Sequence, residues 1–310
     1  MTPSRRRRAG LVATAVAAAA SAAASCSSRA PGVAEDTPPE VLWSSDAGGA
    51  QSAGGDAGSE AAPVDLGGGS TNAPAPDAGY ALFDNFDDVA VGGPPNPAVW
   101  SVVEPDCSGT GTLAVDDSQA HSGHQSVRVD GGSGYCDHVF FSNASAISGL
   151  GSQVYARFFV RLGAALGQGH VTFLAMTDQN DPDDQQNAVR MGGQDMVLIY
   201  NRQSDDATLP TLSPTGVADT VAIVTATWTC IEFHIDQTAG TIDTWVNGTE
   251  VPGLVENGTP VADISTQWLS QAWRPKLVDF ALGWESYAGQ AMTLWFDDVA
   301  LAGFRIGCGT

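Results

Sequence analysis

From Tyr80 onward the chain alternates apolar and polar residues in short runs, separated by Gly, Asn, Asp and Pro. "QSVRVDG" and "TIDTWVNGTEV" have the period of two expected of half-buried strands. Asn247-Gly248 in the second run is a hairpin signal, because both residues accept the left-handed backbone that a two-residue turn needs. "QVYARFFVRL", "HVTFLAM", "DMVLIYN", "CIEFHID", "VDFALGWESY" and "LWFDDVALAGFRI" predict further strands. Only "DISTQWLSQAW" has helical character, and it is short. Many strands without crossover helices predict an all-β domain of antiparallel sheets, a sandwich or jelly roll. "LFDNFDD" opens the domain and "LWFDDVALAGFRIGC" closes it, so the first and last strands are expected to pair.

The first 79 residues lack this pattern. Arg5 to Arg8, an apolar stretch from Leu11 to Ala20 and small residues up to Ser25 make an export signal over residues 1–26. The apolar stretch falls short of the about 20 residues needed to cross a bilayer. Ala23-Ala24-Ser25-Cys26 reads as a lipoprotein processing site with Cys26 acylated; ordinary signal cleavage at the same small residues is the alternative. Residues 27–79 are Ala, Gly, Ser, Pro and Asp, a composition that buries too little apolar surface to fold and reads as a tether. The folded domain is therefore expected over 80–310. The protein is expected to be exported, either as a lipid-anchored outer-membrane or cell-surface lipoprotein or as a secreted protein. Its membrane contact would be through the lipid alone.

Charge narrows the partners. The formal net charge is −22, and after Tyr80 there are only seven Arg and one Lys. Nucleic acid is excluded as a partner, because phosphate binding needs a basic stripe. An anionic substrate would need its few Arg gathered in a cleft. Of five Cys, Cys26 has its own explanation, and the other four make two bridges in an oxidising compartment or else remain buried thiols. The two terminal acidic motifs and the turn "AHSGHQS" supply hard oxygen donors from distant segments, as calcium requires. Asp87, Ser122 and Asp297 are the nominated ligands, with backbone carbonyls; the alternative is exposed acids flanking strand ends.

"PDCSGTGTLAVDDSQAHSGHQSVRVDGGSGYCDHVFF", "LGQGHVTFLAM", "RMGGQ", "YNRQSDDATLPTLSPTGVA", "TWVNG" and "WFDDVALAGFRIGC" resemble the core of the fungal cellulose-induced protein family. The resemblance covers about Phe83 to Cys308. It implies a concanavalin-like β-jelly roll of the polysaccharide-lyase-like kind, related to glucuronan and alginate lyases, with a carbohydrate cleft on its concave sheet. It also implies the disulfides Cys107–Cys136 and Cys230–Cys308, and a structural calcium site at Asp87, Ser122 and Asp297. Ala188 departs from the pattern, standing where the fungal relatives carry a His two residues before Arg190.

The implied activity is β-elimination from a uronate-containing or plant cell-wall polysaccharide by a monomer. That chemistry needs a group to neutralise the sugar carboxylate, a base for the adjacent C–H and an acid for the leaving oxygen. Arg190 and Gln194 in "RMGGQ" suit the first, since Arg grips carboxylate in a two-pronged fork. The paired glycines between them are expected to let a polymer approach the backbone. His170 and Tyr200 suit the proton transfers; the alternatives are a His hydrogen-bonded within the sheet and a Tyr at the edge of the core. Asp206 is expected to orient His170 or contact sugar hydroxyls, Arg202 to extend the carboxylate contact, and Trp284 to stack on the sugar. His138, beside Cys136, reads as structural. A carbohydrate-binding lipoprotein without catalysis is the second reading. A glycosidase is the third; it would need two carboxylates across a cleft, and Glu232 and Glu285 can be suggested, though nothing in the sequence links them.

Overall fold

In the computed structural model, residues 79–104, 109–134 and 136–309 are described. The export signal, Cys26, the tether and Cys107 lie outside them. The expected all-β architecture is observed: two antiparallel sheets pack face to face. The larger sheet runs in the order β13 (Thr249–Glu250), β12 (Thr241–Val246), β11 (Trp228–Asp236), β6 (Gln153–Leu162), β15 (Met292–Ala302), β4 (Ser126–Gly131) and β3 (Thr112–Asp116). The smaller runs β10 (Ala207–Leu209), β9 (Val197–Arg202), β8 (Ala188–Gln194), β7 (Val171–Thr177), β14 (Phe280–Ser286), β5 (Val139–Asn143) and β2 (Ser101–Val103). Two five-residue helices, α1 (Ser145–Gly149) and α2 (Pro214–Ala218), lie in the connections.

Strand alternation builds the core between the sheets. Phe158 of β6 and Phe296 of β15 face Phe173 of β7, Phe280 of β14 and Phe141 of β5, with ring centroids 5.7 to 6.4 Å apart. These spacings are those of edge-to-face and tilted aromatic packing. The Asn247-Gly248 turn is as expected, with φ of 50° and 80° joining β12 to β13. The segment expected to be helical is instead a chain of turns with one 3-10 turn at Trp268–Ser270. It is held by two buried indoles, Trp268 and Trp273, packed edge to face at 5.1 Å, rather than by an apolar helical stripe.

The termini close on one another. The first strand, β1 (Leu82–Asp84), pairs with β15, Leu82 opposite Leu301 and Asp84 opposite Val299. The same edge of β15 pairs with β4 over Met292–Phe296. On its other edge β15 pairs with β6, where the register slips between Asp297 and Ala300. Beyond β15 the tail is stapled by Cys230–Cys308, with Cα atoms 5.8 Å apart. Glu232, fully buried, accepts the backbone N–H groups of Ile306 and Gly307 at 2.7 and 3.0 Å. It therefore serves the tail and sits in the larger sheet, far in topology from Glu285 of β14 in the smaller one, so the two do not form a glycosidase pair. Cys136 is disulfide-bonded, and its expected partner Cys107 lies outside the described residues.

The staple spans 78 residues. In the chain-entropy model a loop of that size contributes about 4 to 5 kcal/mol. Cys308→Ser is expected to lower the urea midpoint accordingly, and non-reducing peptide mapping to show Cys230 joined to Cys308. An unchanged midpoint would mean the tail is held by Glu232 alone.

Candidate functional site

The outer face of the smaller sheet carries a groove of about 290 Å³, lined by residues of β2, β5, β7, β8 and β14. One cross-strand row forms its floor: Asn201, Arg190, Ala175, Ala281 and Ser142 stand opposite one another on β9, β8, β7, β14 and β5. Arg190 is buried, and its Nε and Nη2 donate to Asn201 Oδ1 at 3.2 and 2.8 Å. Asn201 Nδ2 donates in turn to Asp206 Oδ1 at 2.8 Å. Arg190 Nη1 donates to the Tyr287 hydroxyl at 2.7 Å and lies 3.8 Å from Glu285 Oε2. A guanidinium has five N–H donors, so one on each terminal nitrogen has no acceptor among the described residues. Those two N–H groups are the ones Arg190 can offer an incoming carboxylate.

Glu285 and Tyr287 complete the cluster. The Tyr287 hydroxyl donates to Glu285 Oε1 at 2.7 Å, and His138 Nδ1 lies 3.3 Å from the same oxygen. Burial pushes the Glu285 carboxyl up, but the His138 and Tyr287 hydrogen bonds and the Arg190 charge outweigh it, and its pKa lies below the ordinary 4.5. A carboxylate accepts only, which fixes the direction of the chain: Arg190 donates to Tyr287, and Tyr287 donates to Glu285. His170 lies parallel to the Tyr287 ring, with centroids 5.4 Å apart and planes inclined by 11°. Burial, then the Arg190 charge, lower its pKa from 6.5 to about 4, so the imidazole is neutral at pH 7.

The sequence-derived candidates divide on this geometry. His170 and Arg190 meet through Tyr287, and Asp206 joins through Asn201. Gln194 lies at the end of β8, four residues or roughly 13 Å along the strand from Arg190. It is thus at the end of the sheet where His170 precedes Val171, the partner of Gly193.

Tyr200 is corrected as a proton-transfer group. It is fully buried in the inter-sheet core, with its hydroxyl 3.0 Å from Thr244 Oγ1 of the opposite sheet, and burial pushes its pKa far up. Trp284 is corrected as a stacking platform: it is buried in the same core, and its Nε1 donates to the Gln290 carbonyl. Arg202 is corrected as a substrate contact, being spent on Asp205 at 2.6 and 2.8 Å and on the face of Trp268. The Gly192-Gly193 pair serves the sheet rather than a polymer. A Cβ on Gly192 would collide with the Val171 carbonyl, and one on Gly193 would press on Leu166.

Sequence reasoning missed Tyr287 and the pairing of His138 with Glu285. Alternation was the available signal. Phe280, Leu282 and Trp284 are the apolar set of β14, so Glu285 takes the other face, and Tyr287, two residues on, follows it.

The nominated calcium ligands converge on the turn at 121–124. Asp297 Oδ2 accepts the N–H groups of His121 and Ser122 at 2.6 and 3.1 Å, and Asp87 Oδ1 accepts that of His124 at 2.8 Å. Ser122 Oγ donates to Asp298 Oδ1 at 2.7 Å. Burial and the adjacent Asp298 push the Asp297 carboxyl up to about 8. Among the described residues no three His, Cys, Asp or Glu side chains are grouped as a metal site. Two carboxylates and a hydroxyl are hard oxygen donors of the kind calcium takes, and here they are engaged by the turn N–H groups and by Asp298.

The comparisons with known proteins agree with this architecture. A family model described as "Polysacc_lyase-like: Cip1-like, core domain" matches residues 93–303. The solved structure of "Cellulose induced protein, Cip1" is 40% identical, with a TM-score of 0.67, over 74% of this chain and 100% of that one. An endo-β-1,4-glucuronan lyase from the fungus Trichoderma reesei is 16% identical, with a TM-score of 0.48, over 72% of this chain and 95% of its own. A search of curated proteins found no match. The chain therefore belongs to the Cip1-like core-domain family of polysaccharide-lyase-like proteins.

Proposed function

We propose that this domain binds a uronate-containing polysaccharide along the groove of its smaller sheet and cleaves it by β-elimination. The observation that carries the reading is the Tyr287 hydroxyl, 2.7 Å from both Arg190 Nη1 and Glu285 Oε1, with its ring against a neutral His170. The free N–H groups of Arg190 take the sugar carboxylate, which acidifies the adjacent C–H. His170 removes that proton. The C–O bond at the β position breaks as the double bond forms, and Tyr287 protonates the leaving oxygen. The proton on His170 then returns to Tyr287 through solvent, so nothing is consumed. Glu285 holds Arg190 and Tyr287 in place.

The same reading has the domain exported, tethered through a lipid on Cys26, and stabilised by calcium held by Asp87, Ser122 and Asp297. A protein that binds the polymer without cleaving it is the second reading. It is favoured by Ala188, which puts only a methyl group on the groove wall where the family resemblance implies a further His.

The test is the near-ultraviolet absorbance of the unsaturated uronate that only a lyase leaves. Losing a positioned acid or base costs about 10²- to 10⁴-fold in rate. His170→Ala and Tyr287→Phe are expected to fall in that range with polymer binding retained. Tyr200→Phe is expected to turn over like wild type while losing about 1 kcal/mol of stability, the worth of one buried hydrogen bond. If Tyr200→Phe loses turnover and Tyr287→Phe does not, the assignment is reversed. Polymer bound without any unsaturated product from pH 4 to 9 would leave the second reading standing.

The pH profile carries its own test. A base must be unprotonated, so kcat/KM rises with pH through the pKa of His170 in the free protein. The acid limb is expected near 4, not near the ordinary 6.5. A limb at 6 or above would remove His170 from the role.

For calcium, a ligand that binds only the folded state adds about 2.7 kcal/mol at a hundred times its Kd. The melting temperature is expected to fall on chelation, recover with calcium, and lose that response in Asp297→Asn. A chelation-insensitive wild type would dismiss the ion.

A further inference from the structure

The groove is poor in positive charge. Of the residues that line it, Arg190 alone is cationic, while Glu285 and Asp279 are acidic. Asp279 is fixed by the backbone N–H and hydroxyl of Thr177 at 2.6 and 2.9 Å, so its carboxylate stays on the groove wall. Beyond Arg190 the floor continues across Ala175, Ala281 and Ser142, one on each of the next strands. Three strand spacings make this floor about 14 Å long. It is small-sided and uncharged, and it is long enough to seat sugars next to the one held at Arg190.

A homopolyuronate carries a carboxylate on every sugar. Seated here, it would place one carboxylate on Arg190 and the next ones over an uncharged floor beside Asp279. Those neighbours would lose water and gain no cation, and like charges set close together in a cleft are repelled. A polymer whose uronate is isolated among neutral sugars meets no such conflict. It needs one guanidinium fork, and its neighbouring rings can lie on Ala175 and Ala281.

Accepting that the groove is the polysaccharide site, we infer that it selects a heteropolysaccharide in which single uronates are flanked by neutral sugars, and discriminates against continuous polyuronate. Asp279 and the uncharged Ala175–Ala281–Ser142 floor are the specificity elements.

The experiment uses the purified protein with two size-matched probes: a homopolyuronate, and a heteropolymer whose backbone alternates glucuronate, glycosidically substituted at O-4, with neutral sugars. Binding is measured by affinity electrophoresis and turnover by unsaturated-product absorbance. The heteropolymer is expected to be preferred by about tenfold or more, and added salt to narrow the gap by screening the repulsion. Asp279→Asn and Ala281→Lys, which remove a negative charge and add a positive one outside the proton-transfer cluster, are expected to shift both readouts toward the homopolymer. Equal or better binding of the homopolyuronate by wild type overturns the inference, as does an absence of binding to either probe. Preferential heteropolymer binding with no unsaturated product upholds it and removes only the lyase reading.

Discussion

Glu285 is the group on which the outer face of the smaller sheet depends. It is buried, and it stays ionised because His138 and Tyr287 hydrogen-bond to it and Arg190 lies beside it. Remove the carboxylate and a guanidinium is left buried without its counter-charge, which costs about 3 to 5 kcal/mol where it has been measured. Keep it, and geometry follows. An acceptor-only group forces the Tyr287 proton toward itself and turns the Tyr287 lone pair toward Arg190. The bond from Asn201 fixes the other edge of the guanidinium, and Asp206 fixes Asn201. A polar chain running from Asp206 to His138 is thereby satisfied at each link before any ligand arrives.

The second constraint lies in the larger sheet, and it is topological. One edge of β15 serves two partners, β4 and then β1, and no strand can pair continuously with both. The irregularity falls at the hand-over: Asp298 takes a positive φ of 47°, and on the opposite edge the register against β6 slips between Asp297 and Ala300. The 121–124 turn lies at the hand-over, its N–H groups donating to Asp297 and its Ser122 hydroxyl to Asp298. Tail, disulfide and the Asp297 turn all belong to the larger sheet, while the buried polar cluster of Arg190, Glu285 and Tyr287 belongs to the smaller one.

The fold was legible because each long strand obeys alternation, and the acidic motifs at both ends of the domain pair as their positions imply. The site was half legible. Arg190 and His170 were readable because cations and imidazoles are scarce in this chain. Tyr200 misled because the motif around it, "YNR", contains residues of both faces. Asn201 looks into the groove, while Tyr200 and its register partner Met191 look into the core. Trp284 misled for the same reason: an indole suggests sugar stacking, but alternation with Phe280 and Leu282 assigns it inward. Counting by two from the known core residues recovers Glu285 and Tyr287. What no counting recovers is the approach of His170 to Tyr287. It depends on the loop before β7 meeting the chain after β14, joined by the Tyr287 N–H to the His170 carbonyl at 3.1 Å.

On the proposed function, the electrostatic arrangement lets one guanidinium serve as both structure and binding group. Arg190 spends its Nε and one N–H of each terminal nitrogen on Asn201 and Tyr287, and these bonds orient the plane without consuming the outward fork. Glu285 at 3.8 Å compensates the charge but is too far for a hydrogen bond, so it does not occupy the donors that a ligand needs. A carboxylate arriving at the fork finds donors already aimed and already desolvated, so little reorganisation remains to be done on binding. Glu285 weakens the attraction for a bound carboxylate and for a transition state alike, so any preference for the latter rests on the negative charge that develops beside the guanidinium.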